Sequence, residues 1–374
     1  MPDSGIILTI ALLFFCGFVS GYLMHRSDFC MAGAFRDLFL FRSGMMLKAL
    51  LILVAAAAVL FELEYLAGWV TLPFPIFKAP TLFGLMGGVL FGFGMVLSGG
   101  CVVGVLYKSG SGSRPALTAL LGLIVGSGLY AEVHQIITPW LRRTELTTHV
   151  TLSQLTGISS FWWVLTLALG VLFLARRWWR TDRMEERTFS AQGYIQPWKT
   201  ALLLALLVAL GAASSGVPFG VTTSYLKFAA TVEKLLLPQH FSTLSLFNTQ
   251  PLVYLLPLSQ ERLTGGAGPA WDAFAVLQYP LIAGIILGAV WSSAWLKEWS
   301  WRGHFPLSQV VTVFSGGIIM AFGSRIADGC NIWHIWGGVP IFAIQSLLFV
   351  FGLFPGAWLG SLVIKQVILG REGA

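Results

Sequence analysis

The sequence predicts an all-α polytopic membrane protein with about nine transmembrane helices, plus broken or re-entrant half-helices, in two pseudo-symmetric halves. Three observations indicate this class. The chain is 56% hydrophobic and 10% charged, whereas about 25% of an ordinary soluble domain is charged. Its mean hydropathy is +0.79, and one glycine-rich run occurs twice. A soluble chain of this size cannot bury so much apolar surface, which excludes a soluble enzyme.

Nine apolar segments are long enough to cross a bilayer. They cover residues 5–24, 45–66, 81–98, 115–133, 157–175, 200–214, 274–296, 306–324 and 340–364. The sixth is short, and the stretch "SSGVPFGVTTSYLKF" that follows it is a candidate broken helix. Whether residues 215–237 re-enter the membrane stays open at this point.

The distribution of Lys and Arg predicts the orientation. With the N-terminus outside and the C-terminus in the cytoplasm, sixteen of the 23 Lys and Arg residues lie on the inside, as the positive-inside rule requires. The net charge of +7 therefore reports topology, and we expect no nucleic-acid partner. The basic stretch "ARRWWRTDRMEER" divides a single membrane domain, 1–374, into a first half (1–180), a cytoplasmic linker (181–198) and a second half (199–374).

The repeated run is "GGVLFGFGMVLSGGC" at 87–101 and "GGIIMAFGSRIADGC" at 316–330, with six of fifteen positions identical. The predicted topology makes the two copies antiparallel, as in the inverted repeats of transporters. Small residues let helices approach closely. Gly99 and Gly100 in one copy, and Gly329 in the other, would interrupt the helix beside a cysteine. A helix that resumes after such a break presents free N–H groups, which suit an anion.

The chain has four cysteines, at positions 16, 30, 101 and 330. They form no CxxC pair and no zinc spacing, so we predict no metal site, no cofactor and no catalytic residue. Cys16 fits a small buried hydrophobe. Cys101 and Cys330 end equivalent copies of the repeat, which favours a functional role. A thiol in apolar surroundings stays neutral and polarisable, so an anion that carries a soft sulfur is its natural match.

Cys30 lies in "HRSDFCMAGAFRD". This stretch fits a second helix interruption and an amphipathic interfacial helix equally well.

Together "RSDFCMAGAFRD" and the two glycine-rich runs, the second with its following Asn331, resemble the YeeE/YedE family of bacterial membrane proteins, over nearly the whole chain. The order of the motifs is that of the YeeE branch, whose members take up thiosulfate through a central pathway. The resemblance implies that Cys30, Cys101 and Cys330 contact the substrate, supported by Gly100, Gly329 and Asn331. It also implies the bacterial inner membrane, with a cytoplasmic sulfur-carrier protein as a candidate partner.

Two stretches depart from the YeeE pattern, "VVG" after Cys101 and "NIWH" after Cys330. The stretch after Cys330 is more similar to the YedE branch, which is linked to selenium metabolism. A selenium compound or another sulfur species is therefore the alternative substrate.

Several other side chains have two interpretations. Arg26, Lys108 and Arg325 are candidates to offset the charge of a dianion, although Arg325 and Asp328 are spaced to pair with each other. We expect His334 to be structural. The remaining expectations are solvated histidines in outer loops and interfacial glutamates: His134, His149, His240, Glu62 and Glu64.

Two rival classes remain. A membrane thiol oxidoreductase or sulfurtransferase would want a reactive thiolate and a resolving cysteine. A Cu(I) transporter would use Cys and Met, but the nine Met residues form no MxxM cluster.

Overall fold

The computed structural model describes residues 4–181, 193–249, 252–301 and 305–366. The described helices are α1 (Ser4–Ser27), α2 (Met31–Leu40), α3 (Met45–Leu66), α4 (Leu82–Leu97), α5 (Val102–Gly110), α6 (Arg114–Arg143), α7 (Leu152–Thr156), α8 (Ser160–Arg180), α9 (Pro197–Ser215), α10 (Thr222–Leu236), α11 (Pro238–Thr243), α12 (Ser245–Asn248), α13 (Ala273–Trp295), α14 (Leu307–Ile326) and α15 (Ile344–Ile364), with a π-helical segment at Ile332–Gly338. A small antiparallel hairpin, β1 (Leu252–Leu255) and β2 (Arg262–Gly265), precedes α13.

Nine candidate spans are present in the described ranges, as the sequence predicts. Two of them are pairs of consecutive helices, α1 with α2 and α4 with α5. The protein is thus an all-α, multi-pass membrane protein. Most spans are apolar on every side, as expected of helices that contact both lipid and protein. Helix α8 has few buried residues and lies at the periphery.

The two copies of the repeat pack against each other as α4 and α14. A Cβ at Gly94 would lie 2.6 Å from Met320 N and 2.7 Å from the Gly316 carbonyl oxygen. A Cβ at Gly87 would lie 2.7 Å from the Gly323 carbonyl oxygen. Because the earlier glycine of α4 meets the later glycine of α14, the helices are antiparallel, as predicted. The absence of side chains at these glycines lets the two backbones touch.

The second glycine of each copy serves a different neighbour. Gly88 faces α15 at Phe349, and Gly317 faces α6 at Ala119. The Gly-Gly pair of each copy therefore brings that helix into backbone contact with two neighbours. Helix α4 contacts α14 and α15, and α14 contacts α4 and α6.

Four of the spans are interrupted by a residue in the left-handed conformation. These residues are Asp28 (φ 45°) after α1, Gly99 (φ 70°) after α4, Gly216 (φ 72°) after α9 and Asp328 (φ 64°) after α14. A left-handed residue is a common way to end a helix and turn the chain. Three of the four stand two residues before a cysteine, so the pattern Asp-x-Cys or Gly-x-Cys marks those breaks in the sequence.

Residues 215–237 contain the break after α9. The chain leaves helix at 216–221 and resumes as α10, so a broken helix is present there. The predicted sixth span began too late, since α9 begins at Pro197, where the fixed φ of proline suits a first helical residue. Most of the predicted basic linker, 182–192, lies outside the described residues.

Candidate functional site

Each of the three cysteines singled out by the motifs stands where a short helix begins. Cys30 is the N-cap of α2. Cys101 is the N-cap of α5, and its Sγ accepts a hydrogen bond from Gly104 N at 3.2 Å. The Cys330 sulfur faces the backbone N–H groups of Ile332 and Trp333. All three are at most 3% exposed. The interruption at Cys30 is therefore present, and the thiol at the break is buried.

The breaks bring the cysteines together from three parts of the chain. A Cβ at Gly104 would lie 3.0 Å from Cys30 Sγ and 3.3 Å from Cys101 Sγ, so both thiols lie beside the same glycine. The Asn331 side chain lies beside the Cys101 thiol, which links the break after α14 to the breaks after α1 and α4. Cys16 is buried within α1, in none of the described breaks.

Two buried polar side chains next to these thiols lack partners. Asn331 is 0% exposed, and neither its Nδ2 nor its Oδ1 has a hydrogen-bond partner among the described residues. The same holds for the hydroxyl of Tyr225, which is 3% exposed and within electrostatic range of both Cys330 and Cys101. The motifs indicated Asn331 but not Tyr225. The only sequence signal for Tyr225 is its place just after the break that follows α9.

A cavity of about 710 Å³ opens beside the break after α14. Gly329 and Trp333 line it next to Cys330, and Lys78, Arg325 and Asp328 supply charge. The cavity lies at the end of the molecule where α14 ends. Because Gly329 precedes Cys330 directly and Trp333 follows it three residues later, this cavity adjoins the segment that carries Cys330.

The segment 77–78 is attached to the loop that carries Cys330. Phe77 stacks on Trp333 with ring centroids 4.4 Å apart. The next residue, Lys78, donates to Asp328 Oδ1 at 2.7 Å. Trp333 also packs over Gly329, where any side chain would collide with the indole ring. An aromatic contact and an ion pair thus hold this loop at the floor of the cavity.

Arg325 does not form the ion pair that its spacing from Asp328 suggested. Asp328 pairs with Lys78, and Arg325 Nε has no hydrogen-bond partner among the described residues. The physical reason is the helix end, because Asp328 has left the helical conformation that brings residues three apart together. The guanidinium of Arg325 lines the cavity instead.

A second, smaller cavity of about 240 Å³ lies on the other side of the cysteines, beside Arg26 and Lys108. Arg26 forms an ion pair with Glu298 and donates to Ser292 Oγ at 2.7 Å. Lys108 donates to the Gly99 carbonyl at 3.1 Å and acts electrostatically on Cys30. Of the two predicted cations on this side, Lys108 keeps more of its charge for the thiols, because Glu298 neutralises Arg26.

Three of the side chains predicted to be solvated or structural have the expected surroundings and three do not. His334 is structural, since its ring nitrogens contact Ser346 Oγ and the Ala327 carbonyl oxygen. His149 and His240 are exposed. Beside His240, the hydrogen bond to Glu233 and the charge of Glu132 raise the pKa of that imidazole. The other three are buried or half-buried: Glu62, Glu64 and His134.

The burial of Glu62 has a simple cause. Glu62 accepts a hydrogen bond from Ser160 Oγ at 2.9 Å, so α8 covers the end of α3 that was expected to face the interface.

Comparison with known proteins identifies the family. The sequence profile described as Sulphur transport matches residues 26–359. The chain belongs to the Sulphur transport family. The resemblance seen in the three motifs is thereby confirmed, and the match begins just before the first break and ends within α15.

Three named bacterial proteins show how far the similarity extends. The thiosulfate transporter TsuA of Spirochaeta thermophila is 29% identical over 370 residues, which covers 92% of this chain and 96% of the relative. The thiosulfate transporter TsuA of Escherichia coli is 24% identical, with 92% of each chain covered. The probable transporter YedE of Salmonella typhimurium is 35% identical over 125 residues, only 33% of this chain and 29% of the relative.

Proposed function

We propose that this protein takes up thiosulfate across the bacterial inner membrane, through a central pathway that Cys30, Cys101 and Cys330 line. The observation that carries this proposal is the group of buried thiols at three helix breaks, next to a cavity with a cationic wall. The names of the two relatives that cover 92% of the chain support the substrate. It is a transporter and not an enzyme in this proposal.

The chemistry of the thiols fits thiosulfate. This dianion has a sulfonate end with hard, charged oxygens and a softer terminal sulfur. A neutral S–H donates a weak hydrogen bond and presents a polarisable sulfur to that end. Several weak contacts in series let an ion enter and leave, whereas one strong cation would hold it.

Backbone dipoles stabilise the negative charge of the bound dianion. Helix α5 begins at Cys101 and α2 begins at Cys30, and helix N-termini carry partial positive charge and spare N–H donors. The N–H groups directed at Cys330 add to this. The site can therefore neutralise part of a dianion without a fixed cation at the thiols.

The two cavities suggest the route. On the proposed outer side, Arg325 attracts the dianion into the 710 Å³ cavity. The dianion then passes Trp333 and reaches Cys330, Cys101 and Cys30 in turn. On the proposed cytoplasmic side, Lys108 receives it in the 240 Å³ cavity, from which a cytoplasmic sulfur-carrier protein would take the sulfur. A selenium compound or another sulfur species could use the same contacts, since selenium is also soft.

The direct test is uptake into proteoliposomes, with thiosulfate, sulfate, sulfite and selenium oxyanions compared. We expect uptake of thiosulfate and its loss in Cys101→Ala and Cys330→Ala. The matched control is Cys16→Ala, which removes an equally buried thiol outside the breaks and should transport normally. Normal uptake by Cys101→Ala and Cys330→Ala would refute the role of the thiols.

One observation favours a second candidate, a membrane thiol oxidoreductase. Cys30 and Cys101 are neighbours in space, as a catalytic pair would be. Such an enzyme would accumulate a Cys30–Cys101 disulfide during turnover, which mass spectrometry of protein quenched with an alkylating agent detects. The transport proposal predicts free thiols throughout.

A further inference from the structure

We infer that Tyr225 and Asn331 form an oxygen-binding subsite that contacts the sulfonate end of a sulfur oxyanion while the thiols contact its sulfur. The inference rests on the proposed function and deepens it, because it assigns the part of the site that distinguishes one sulfur anion from another. Among the four described helix breaks, Tyr225 comes from the one without a cysteine.

Buried polar atoms without hydrogen bonds carry a free-energy cost. A buried polar group without a hydrogen bond is unfavourable by about 1–3 kcal/mol, so native proteins contain few of them. Here the Tyr225 hydroxyl and both polar atoms of Asn331 are buried without partners among the described residues. The two donors among them, the Tyr225 hydroxyl and Asn331 Nδ2, are the atoms that a bound oxyanion would satisfy.

The Tyr225 and Asn331 side chains lie near the same thiols. Tyr225 lies in the first turn of α10, within electrostatic range of Cys330 and Cys101. Asn331 follows Cys330 directly and lies beside Cys101. The two side chains thus approach the same pair of thiols from different breaks. A ligand held by Cys101 and Cys330 would be within reach of both.

The hydrogen-bond donors of these two side chains suit the sulfonate end of the anion. A tyrosine hydroxyl and an asparagine amide are neutral donors, suited to sulfonate oxygens that keep part of their charge. Thiols are poor partners for hard oxygens but good ones for soft sulfur. With the thiols and the Tyr225–Asn331 pair together, the site would present a soft and a hard side, which matches an anion that has both.

The chain offers a close control. Tyr254 is also buried, at 2% exposed, and its hydroxyl also lacks a partner among the described residues. It lies beside Gly216 and Pro257, and none of the four cysteines, all of which the structure describes, affects it electrostatically. Tyr254→Phe therefore removes the same buried hydroxyl at a different place.

The experiment measures thiosulfate uptake and thermal unfolding of the full-length purified protein. Tyr225→Phe and Asn331→Leu should each raise the KM for thiosulfate by about tenfold, the effect of one hydrogen bond to a charged group. Without thiosulfate, the unfolding midpoint of Tyr225→Phe should equal or exceed that of the wild type, because an unpartnered hydroxyl is gone. With thiosulfate, its stabilisation should be smaller than in the wild type. Tyr254→Phe should show an unchanged KM and unchanged stabilisation by thiosulfate.

The outcomes separate this inference from the proposed function. If the wild type accumulates no thiosulfate, the function itself fails. If the wild type transports and Cys101→Ala does not, but Tyr225→Phe keeps a KM within about twofold of Tyr254→Phe, the oxygen subsite alone is refuted. A lower unfolding midpoint of Tyr225→Phe without thiosulfate, with normal stabilisation by thiosulfate, would assign Tyr225 a structural role and also refute it.

Discussion

At the scale of single residues, the sequence drew attention to the three cysteines and to Asn331 but not to Tyr225. Cys101 and Cys330 could be predicted because a repeat duplicates their surroundings. Tyr225 could not, since a tyrosine after a break has no distinguishing pattern and only folding brings it to the thiols. The Arg325–Asp328 pair was wrong because sequence spacing assumes a continuous helix, and the helix ends at Ile326.

Gly104 is a residue-scale test of the thiol pair. In Gly104→Ala, the added methyl group would lie 3.0 Å from Cys30 Sγ and 3.3 Å from Cys101 Sγ, closer than ordinary contacts, so the thiols must move apart. We expect uptake to fall severalfold, because a shift of a few tenths of an ångström in the thiols weakens contacts that depend on their alignment. Gly33→Ala is the matched control, since its methyl group would make an ordinary 3.6 Å contact with Cys30 Cβ. Equal uptake by the two variants would contradict a working role for the thiol pair.

At the scale of elements, all nine predicted spans have counterparts among the described helices, because long apolar runs leave little choice. Their ends were less predictable. The fourth apolar run stops at residue 133, but α6 continues to Arg143, since a helix can extend into water beyond the bilayer. Residues 340–343 belong to the turn after the π-helical segment, not to α15. The hairpin β1–β2 has no periodicity that distinguishes it from a loop.

The crossing of α4 and α14 gives the element-scale prediction. Gly94→Ala would place a methyl group 2.6 Å from Met320 N, and backbone cannot yield as a side chain can. We expect a loss of about 1–3 kcal/mol of stability, measured as a lower unfolding midpoint in detergent. Gly170→Ala in α8, where no atom of the described residues would lie within 4 Å of the new methyl group, should leave that midpoint unchanged. If both variants unfold at the wild-type temperature, the crossing is not held by backbone contact.

At the scale of the whole molecule, the helix pairs support two related halves. Helix α1 packs on α13 as α3 packs on α9, and α4 packs on α15 as α14 packs on α6. Such reciprocal pairs are what an inverted repeat would produce. The division at 1–180 and 199–374 remains our proposal, and the end of α8 at Arg180 agrees with it.

Orientation is the corresponding whole-molecule prediction. The side of the protein that carries sixteen of the 23 Lys and Arg residues should face the cytoplasm. A fluorescent protein that matures only in the cytoplasm should therefore fluoresce when fused after Ala374, and alkaline phosphatase at the same place should be inactive. The reverse pattern would invert the assignment of both cavities.

The central claim is that opposed helix breaks hold their thiols around one passage for thiosulfate. Its most direct measurement is an experimental structure of the full chain with thiosulfate added, with the sulfur atoms located by anomalous scattering. We predict a dianion within hydrogen-bonding distance of Cys101 or Cys330, with its oxygens towards Tyr225 and Asn331. A dianion bound only in the outer cavity, with the thiols in contact with nothing but protein, would contradict the account.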